Sequence, residues 1–182
     1  MKNKPVLSVI IVSFNTKEIT LACLDSLYRF TSGLDYEVIV VDNSSTDSSA
    51  EMLSIFERGH KNFKLIRSAV NIGFGPANNL GAKEAKGDYL LFLNSDMIFT
   101  ENNLPHCLEE VKKDPRIGVY SCNLIGKNGW PQTSGGYFPD LFRLFAWQFF
   151  LDDLPVFSRL IKSIHPHTSR PNPDWVTGAF MI

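Results

Sequence analysis

The residues best suited to chemistry fall in three polar clusters, each placed directly after an apolar run. Ser13-Phe14-Asn15-Thr16 follows Val6 to Val12, Asp42 to Asp47 follows Tyr36 to Val41, and Asn94-Ser95-Asp96 follows Tyr89 to Leu93. A lone carboxylate such as Asp96 can hold a hard divalent cation, which in turn holds phosphate oxygens. The same aspartate can equally cap a helix or open a turn. His165 and His167, one residue apart, have donor atoms for a metal, but a loop pair flanked by prolines makes a poor ligand set. Cys23, Cys107 and Cys122 lack metal-binding spacing and read as small packing residues in a reducing compartment.

The elements that must carry these clusters follow from periodicity. Val6 to Val12, Tyr36 to Val41 and Tyr89 to Leu93 are continuous apolar runs, the pattern of strands buried on both faces. Phe63 to Arg67 is a shorter strand. Between them lie helical patterns. Lys17 to Phe30 turns Ile19, Cys23, Leu24 and Leu27 to one side, and Ser48 to Arg58 turns Met52, Ile55 and Phe56 inward. A third helix starts near Pro76, carries Ala77, Leu80, Ala82 and Ala85, and is expected to stop at Gly87. This alternation predicts an α/β fold, a mostly parallel sheet flanked by helices with right-handed crossovers. Ligands of such sheets bind beyond the carboxyl ends of the strands, so the three clusters converge on one crevice.

Further on, Leu104 to Lys113 reads as a helix and Ile117 to Tyr120 as a strand. Tyr137 to Ile161 is densely aromatic, the composition of a buried helix or of a surface that touches membrane or a lipid acceptor. The last residues, Asp174 to Ile182, are still strongly apolar, so the chain is expected to be C-terminally truncated. With 182 residues, 44% hydrophobic and 20% charged, it is an ordinary globular protein with room for one core. A net charge of -1 gives no case for nucleic acid as partner. No apolar run is long enough to span a bilayer. The run after Lys2 and Lys4 lacks the cleavage site of a signal peptide.

Five segments in order resemble the inverting nucleotide-sugar glycosyltransferases of family 2, which have the GT-A fold, and most of all their rhamnosyltransferase-like branch. They are SVIIVSFN (Ser8 to Asn15), VIVVDNSSTD (Val38 to Asp47), NIGFGPANNLG (Asn71 to Gly81), GDYLLFLNSDM (Gly87 to Met97) and DWVTGAFM (Asp174 to Met181). The resemblance implies one domain over 1–182, with a nucleotide-sugar half in 1–100 and the beginning of an acceptor half in 101–182. It implies that Ser13 and Phe14 line the nucleotide pocket and that Asp42 accepts hydrogen bonds from base or ribose. Asn71 and Gly73 would belong to the loop that closes over the nucleotide. Asn94, Ser95 and Asp96 match the family's metal triad, with Asp96 its sole acidic ligand for Mg²⁺ or Mn²⁺. Asp174, Trp175 and Gly178 match the acceptor side. The implied donor is a dTDP- or UDP-linked sugar and the implied acceptor a glycan or lipid-linked glycan in bacterial surface polysaccharide synthesis. That places the protein in the cytoplasm or at the inner membrane face, with peripheral membrane contact and homo-oligomers both compatible.

One departure matters. The family's catalytic base follows the strand matching Val176 to Ile182, where this sequence ends, so the chain alone is expected to bind donor weakly or not at all and to transfer no sugar. Asp152-Asp153 precedes that strand and reads as an exposed loop pair. Two other readings compete. A dinucleotide-binding fold would need its glycine fingerprint after the first strand, whereas Gly73-Phe74-Gly75 follows the third and lacks the last glycine. A non-catalytic nucleotide-binding or scaffold module of the same fold would also account for the missing base.

Overall fold

The apolar runs form strands, and the helical patterns between them form the helices that cover the sheet. The computed structural model describes residues 4–136, 138, 140–149 and 173–182. Asp152-Asp153, His165 and His167 lie outside the described residues. The chain divides into two compact units, Met1–Tyr120 with Gly178–Ile182, and Ser121–Thr177.

The first unit begins with β1 (Leu7–Ser13), α1 (Lys17–Phe30), β2 (Tyr36–Asp42), α2 (Ser49–Gly59) and β3 (Phe63–Arg67). It continues with α3 (Phe74–Glu84), β4 (Tyr89–Asn94) and α4 (Leu104–Lys113). The chain then forms the second unit with β5 (Leu124–Ile125), β6 (Pro131–Gln132), β7 (Gly135–Gly136), α5 (Leu141–Gln148) and β8 (Trp175–Val176), and returns to the first as β9 (Phe180–Met181).

The first unit's sheet runs β3-β2-β1-β4-β9. β1, β2, β3 and β4 are parallel, and β9 is antiparallel to β4. All seven residues of β1 are buried, as a strand covered on both faces requires. The register decides where the polar clusters meet: Ser13 pairs with Asp42 and Val12 with Asn94, so three strands end level with one another. The chain crosses from β1 to β2 and β3 on one side, then to β4 on the other. β1 and β4 therefore flank the topological switch point, where open α/β sheets bind ligands.

Several expectations need correcting in detail. Cys23, Leu24 and Leu27 of α1 are buried, but Ile19 is 50% exposed. In α2 the buried line is Ala50, Leu53 and Phe56, whereas Ile55 is 64% exposed. Ile55 stands about 140° around the helix from Ala50 and so faces away from the sheet. The third helix stops at Glu84, and Gly87 does a different job from ending it. Its N–H donates to Ser8 Oγ at 2.8 Å, and a Cβ added there would lie 2.6 Å from the Ser8 nitrogen. Ile117 to Tyr120 forms no strand. Only Tyr120 at its end exchanges two backbone hydrogen bonds with Ile182, at 2.8 and 2.9 Å.

In the second unit β5 pairs with β6 and β7 with β8, both antiparallel. Gly136 lies flat against the Trp175 ring, where an added Cβ would be 2.5 Å from Cζ2. Leu141, Leu144, Phe145 and Phe149 of the aromatic stretch are exposed. No helix among the described residues is long and apolar enough to cross a membrane.

Candidate active site

At the carboxyl ends of β1, β2 and β4 lies a cavity of about 590 Å³. Val12, Phe14, Ile19 and Phe74 give it apolar walls, and Thr16, Asn43, Asn71 and Gly73 add polar ones. Asn94, Ser95 and Asp96 complete it. The clusters that follow β1, β2 and β4 thus contribute to one cavity, together with the loop before α3.

Tight turns hold the lining in place. Asn15 has φ 54°, Ser44 φ 70° and Ser48 φ 65°, conformations that a side chain other than glycine adopts only with local support. That support is a side-chain lattice between the turns after β1 and β2. Asn15 Oδ1 accepts the Thr46 N–H at 2.7 Å, and the Asn15 N–H donates to Ser45 Oγ at 2.9 Å. Asp47 accepts the first N–H of α1, from Lys17, at 3.1 Å and the first N–H of α2, from Ser49, at 3.0 Å. The Ser49 hydroxyl, more than these amides, holds the Asp47 carboxyl below the usual carboxylate range.

The structure distributes the expected site residues unevenly. Phe14 is 44% exposed on the cavity wall, but Ser13 is fully buried beside Thr16 and Thr20, with its hydroxyl 3.1 Å from Thr20 Oγ1. Asp42 is buried too. Its Oδ2 accepts the Ser45 N–H at 3.3 Å, while its Oδ1 has no hydrogen-bond partner among the described residues. An unsatisfied buried carboxylate oxygen costs about 1–3 kcal/mol or more, and Asp42 is not itself among the residues lining the cavity. Gly178 lies in the turn before β9, where the next carbonyl, of Ala179, accepts the Asn94 N–H at 3.0 Å. Asp174 and Trp175 belong to the second unit, where Asp174 Oδ2 accepts the Phe138 N–H at 2.9 Å.

Asp96 is exposed and is the only titratable residue among the described residues that line the cavity. Behind it the Cys23 thiol lies 3.8 Å from the Asn94 carbonyl. Burial first, and the Asp96 charge second, push that thiol up to about 12, so Cys23 is a neutral packing residue. The described residues contain no group of three His, Cys, Asp or Glu able to hold a metal. One exposed carboxylate at a polar cavity does fit a cation whose remaining ligands come from a bound diphosphate, the usual manner for Mg²⁺.

Reading the sequence alone missed Asn43, Thr16, Ile19 and Phe74 as lining residues. Asn43 and Thr16 sit inside the polar clusters, which was their signal. Ile19 had none, because an apolar residue on a helix reads as core, and Phe74 had none in the glycine loop before Pro76.

Residues 8–165 match the model of glycosyl transferase family 2. The chain belongs to this family. Among its relatives is the poly(ribitol-phosphate) beta-glucosyltransferase of Bacillus spizizenii, 40% identical over 92 residues, which cover 50% of this chain and 14% of the relative. An uncharacterized glycosyltransferase of Haemophilus influenzae is 35% identical over 125 residues, covering 66% of this chain and 41% of the relative. S. aureus TarS 1-349 in complex with UDP-GlcNAc superposes with a TM-score of 0.59 at 25% identity, over 70% of this chain and 37% of that one. The Pyrobaculum calidifontis mannosyltransferase PcManGT, solved with GDP-Man and Mn²⁺, has a TM-score of 0.61 at 22% identity over 69% and 37% of the two chains, and shows likeness of fold alone. The family 2 chain thus has the GT-A architecture and spans less than half the length of these relatives.

Proposed function

We propose that the chain is the donor-binding part of a metal-dependent, inverting glycosyltransferase that moves a sugar from a nucleoside diphosphate to an acceptor hydroxyl in bacterial surface polysaccharide synthesis. The observation that carries this reading is Asp96, among the described residues the single ionisable group of a cavity built at the switch point between β1 and β4. In this reading the unpaired Oδ1 of Asp42 accepts a hydrogen bond from the base or ribose. Phe14 supplies an apolar face, Ser13 supports the turn behind it, and Asn71 and Gly73 wall the nucleotide. Asn94, Ser95 and Asp96 face the diphosphate, and Asp96 would hold Mg²⁺ or Mn²⁺. Such an ion supplies Lewis-acid stabilisation of the charge that builds on the leaving diphosphate.

Inversion needs a base to take the acceptor's proton on the face opposite the leaving group. In this reading Asp96 serves the diphosphate, and among the described residues no other carboxylate lines the cavity. Asp174, Trp175 and Gly178 belong to the acceptor side, and the acceptor is a glycan or lipid-linked glycan met at the inner membrane face. The relatives are named for transfer of glucose and, in a Staphylococcus epidermidis synthase, for a polymer of N-acetylglucosamine. TarS was solved with UDP-GlcNAc, so a UDP-linked donor comes first and dTDP-rhamnose second.

Fluorescence titration tests the ligand class. Because the cavity is already formed in this chain, weak binding rather than none follows from this reading: UDP or dTDP should bind weakly and NADH not at all. Binding of NADH alone would contradict it.

A further inference from the structure

We infer that Asn43 is a positioning residue of the donor site: its side-chain amide latches the loop Asn71 to Gly73 to the end of β2. The inference rests on the donor-site reading above. Asn43 is 3% exposed, follows the last residue of β2, and is anchored by its own N–H, which donates to the Ser13 carbonyl at 2.8 Å. Both ends of its side chain are then used on one loop. Nδ2 donates to Asn71 Oδ1 at 2.9 Å, and Oδ1 accepts the Ile72 N–H at 3.0 Å. Asn71 Oδ1 accepts a second hydrogen bond, from the Gly73 N–H at 2.9 Å. Gly73, with φ 86°, is the residue from which α3 starts.

The three bonds form a chain from β2 through Asn43 and Asn71 to the start of α3. Asn43, Asn71, Gly73 and Phe74 all line the cavity. Ordering a loop costs conformational entropy, and a loop ordered before the ligand arrives does not draw that cost from the binding free energy. The type of side chain matters, because only an amide both donates and accepts at these positions. An aspartate would keep the bond from Ile72 but place an oxygen against Asn71 Oδ1. If the Asn71 amide turned over to relieve this, the Gly73 N–H would lose its acceptor.

The test uses NMR on the 182-residue chain, with UDP and Mg²⁺ as probe. Titration gives affinities even when binding is weak, and amide exchange reads the loop directly. Asn43→Ala and Asn43→Asp are each expected to weaken UDP binding about tenfold, the effect of losing one to two hydrogen bonds. Exchange at Ile72 and Gly73 should accelerate in Asn43→Ala while amides of β1 and β4 stay protected. In Asn43→Asp the Ile72 amide should keep more protection than in Asn43→Ala, a distinction that a general loss of structure would not produce. Unchanged UDP affinity in both variants, beside a wild type that binds, would overturn the latch alone. Failure of the wild type to bind UDP or dTDP would overturn the donor-site reading and this inference with it.

Discussion

Asp42 and Cys23 show how differently two buried polar groups near the strand ends behave. The Asp42 carboxylate retains an acceptor oxygen without a partner, and such a group costs stability until a ligand satisfies it. Asp42→Asn keeps an oxygen for the Ser45 N–H and removes the charge. It is expected to leave the melting temperature unchanged or raised while weakening UDP binding about tenfold, the exchange of stability against function found at binding sites. A lower melting temperature with unchanged UDP affinity would show that Asp42 is only a turn residue. Cys23 carries the opposite signature, a thiol kept neutral by burial and by Asp96. Its pKa is about 12 in the folded chain against 9.0 for the ordinary thiol, so above pH 9 the unfolded chain releases a proton that the folded chain keeps. Its contribution to stability is complete below pH 9 and is lost as pH rises toward 12. The half-buried Tyr28 phenol, raised beyond its ordinary range first by desolvation, acts in the same direction. Urea unfolding between pH 8 and 11 should show stability falling with pH, and less steeply in Cys23→Ala.

At the scale of elements, strands were easier to read than helices. β1, β2 and β4 announce themselves because a strand buried on both faces is a continuous apolar run that ends where it meets solvent. Helix faces are harder, since Ile19 and Ile55 suit a core yet point elsewhere, one to the cavity and one to solvent. Gly87 was legible as a glycine and misread as a helix stop. What fixes it is close approach to the start of β1, a contact between residues 79 positions apart that local pattern cannot reveal. Gly87→Ala forces its Cβ against backbone, which cannot give way cheaply, and should cost about 1–3 kcal/mol in urea denaturation. Gly81→Ala meets side-chain methyls rather than backbone, Ile10 Cγ2 at 2.7 Å and Val41 Cγ2 at 3.4 Å, and should cost less. Equal costs would contradict this reading of the β1 contact.

For the whole molecule, function depends on register. Ser13 opposite Asp42 and Val12 opposite Asn94 bring level three clusters that lie 83 residues apart at their extremes, from Ser13 to Asp96. The alternation of strand and helix made this convergence legible, and the order of the motifs made the family legible. The amide chain from Asn43 to Gly73 was not legible, because it depends on side-chain direction at the ends of two strands. The central claim is that this cavity binds a nucleoside diphosphate through a cation held by Asp96. Calorimetric titration of UDP, with and without Mn²⁺, into the wild-type chain and into Asp96→Ala tests it most directly. The account predicts weak binding that Mn²⁺ strengthens in the wild type and leaves unchanged in Asp96→Ala. Binding that Mn²⁺ strengthens equally in both proteins would contradict it, because the cation would then be held elsewhere.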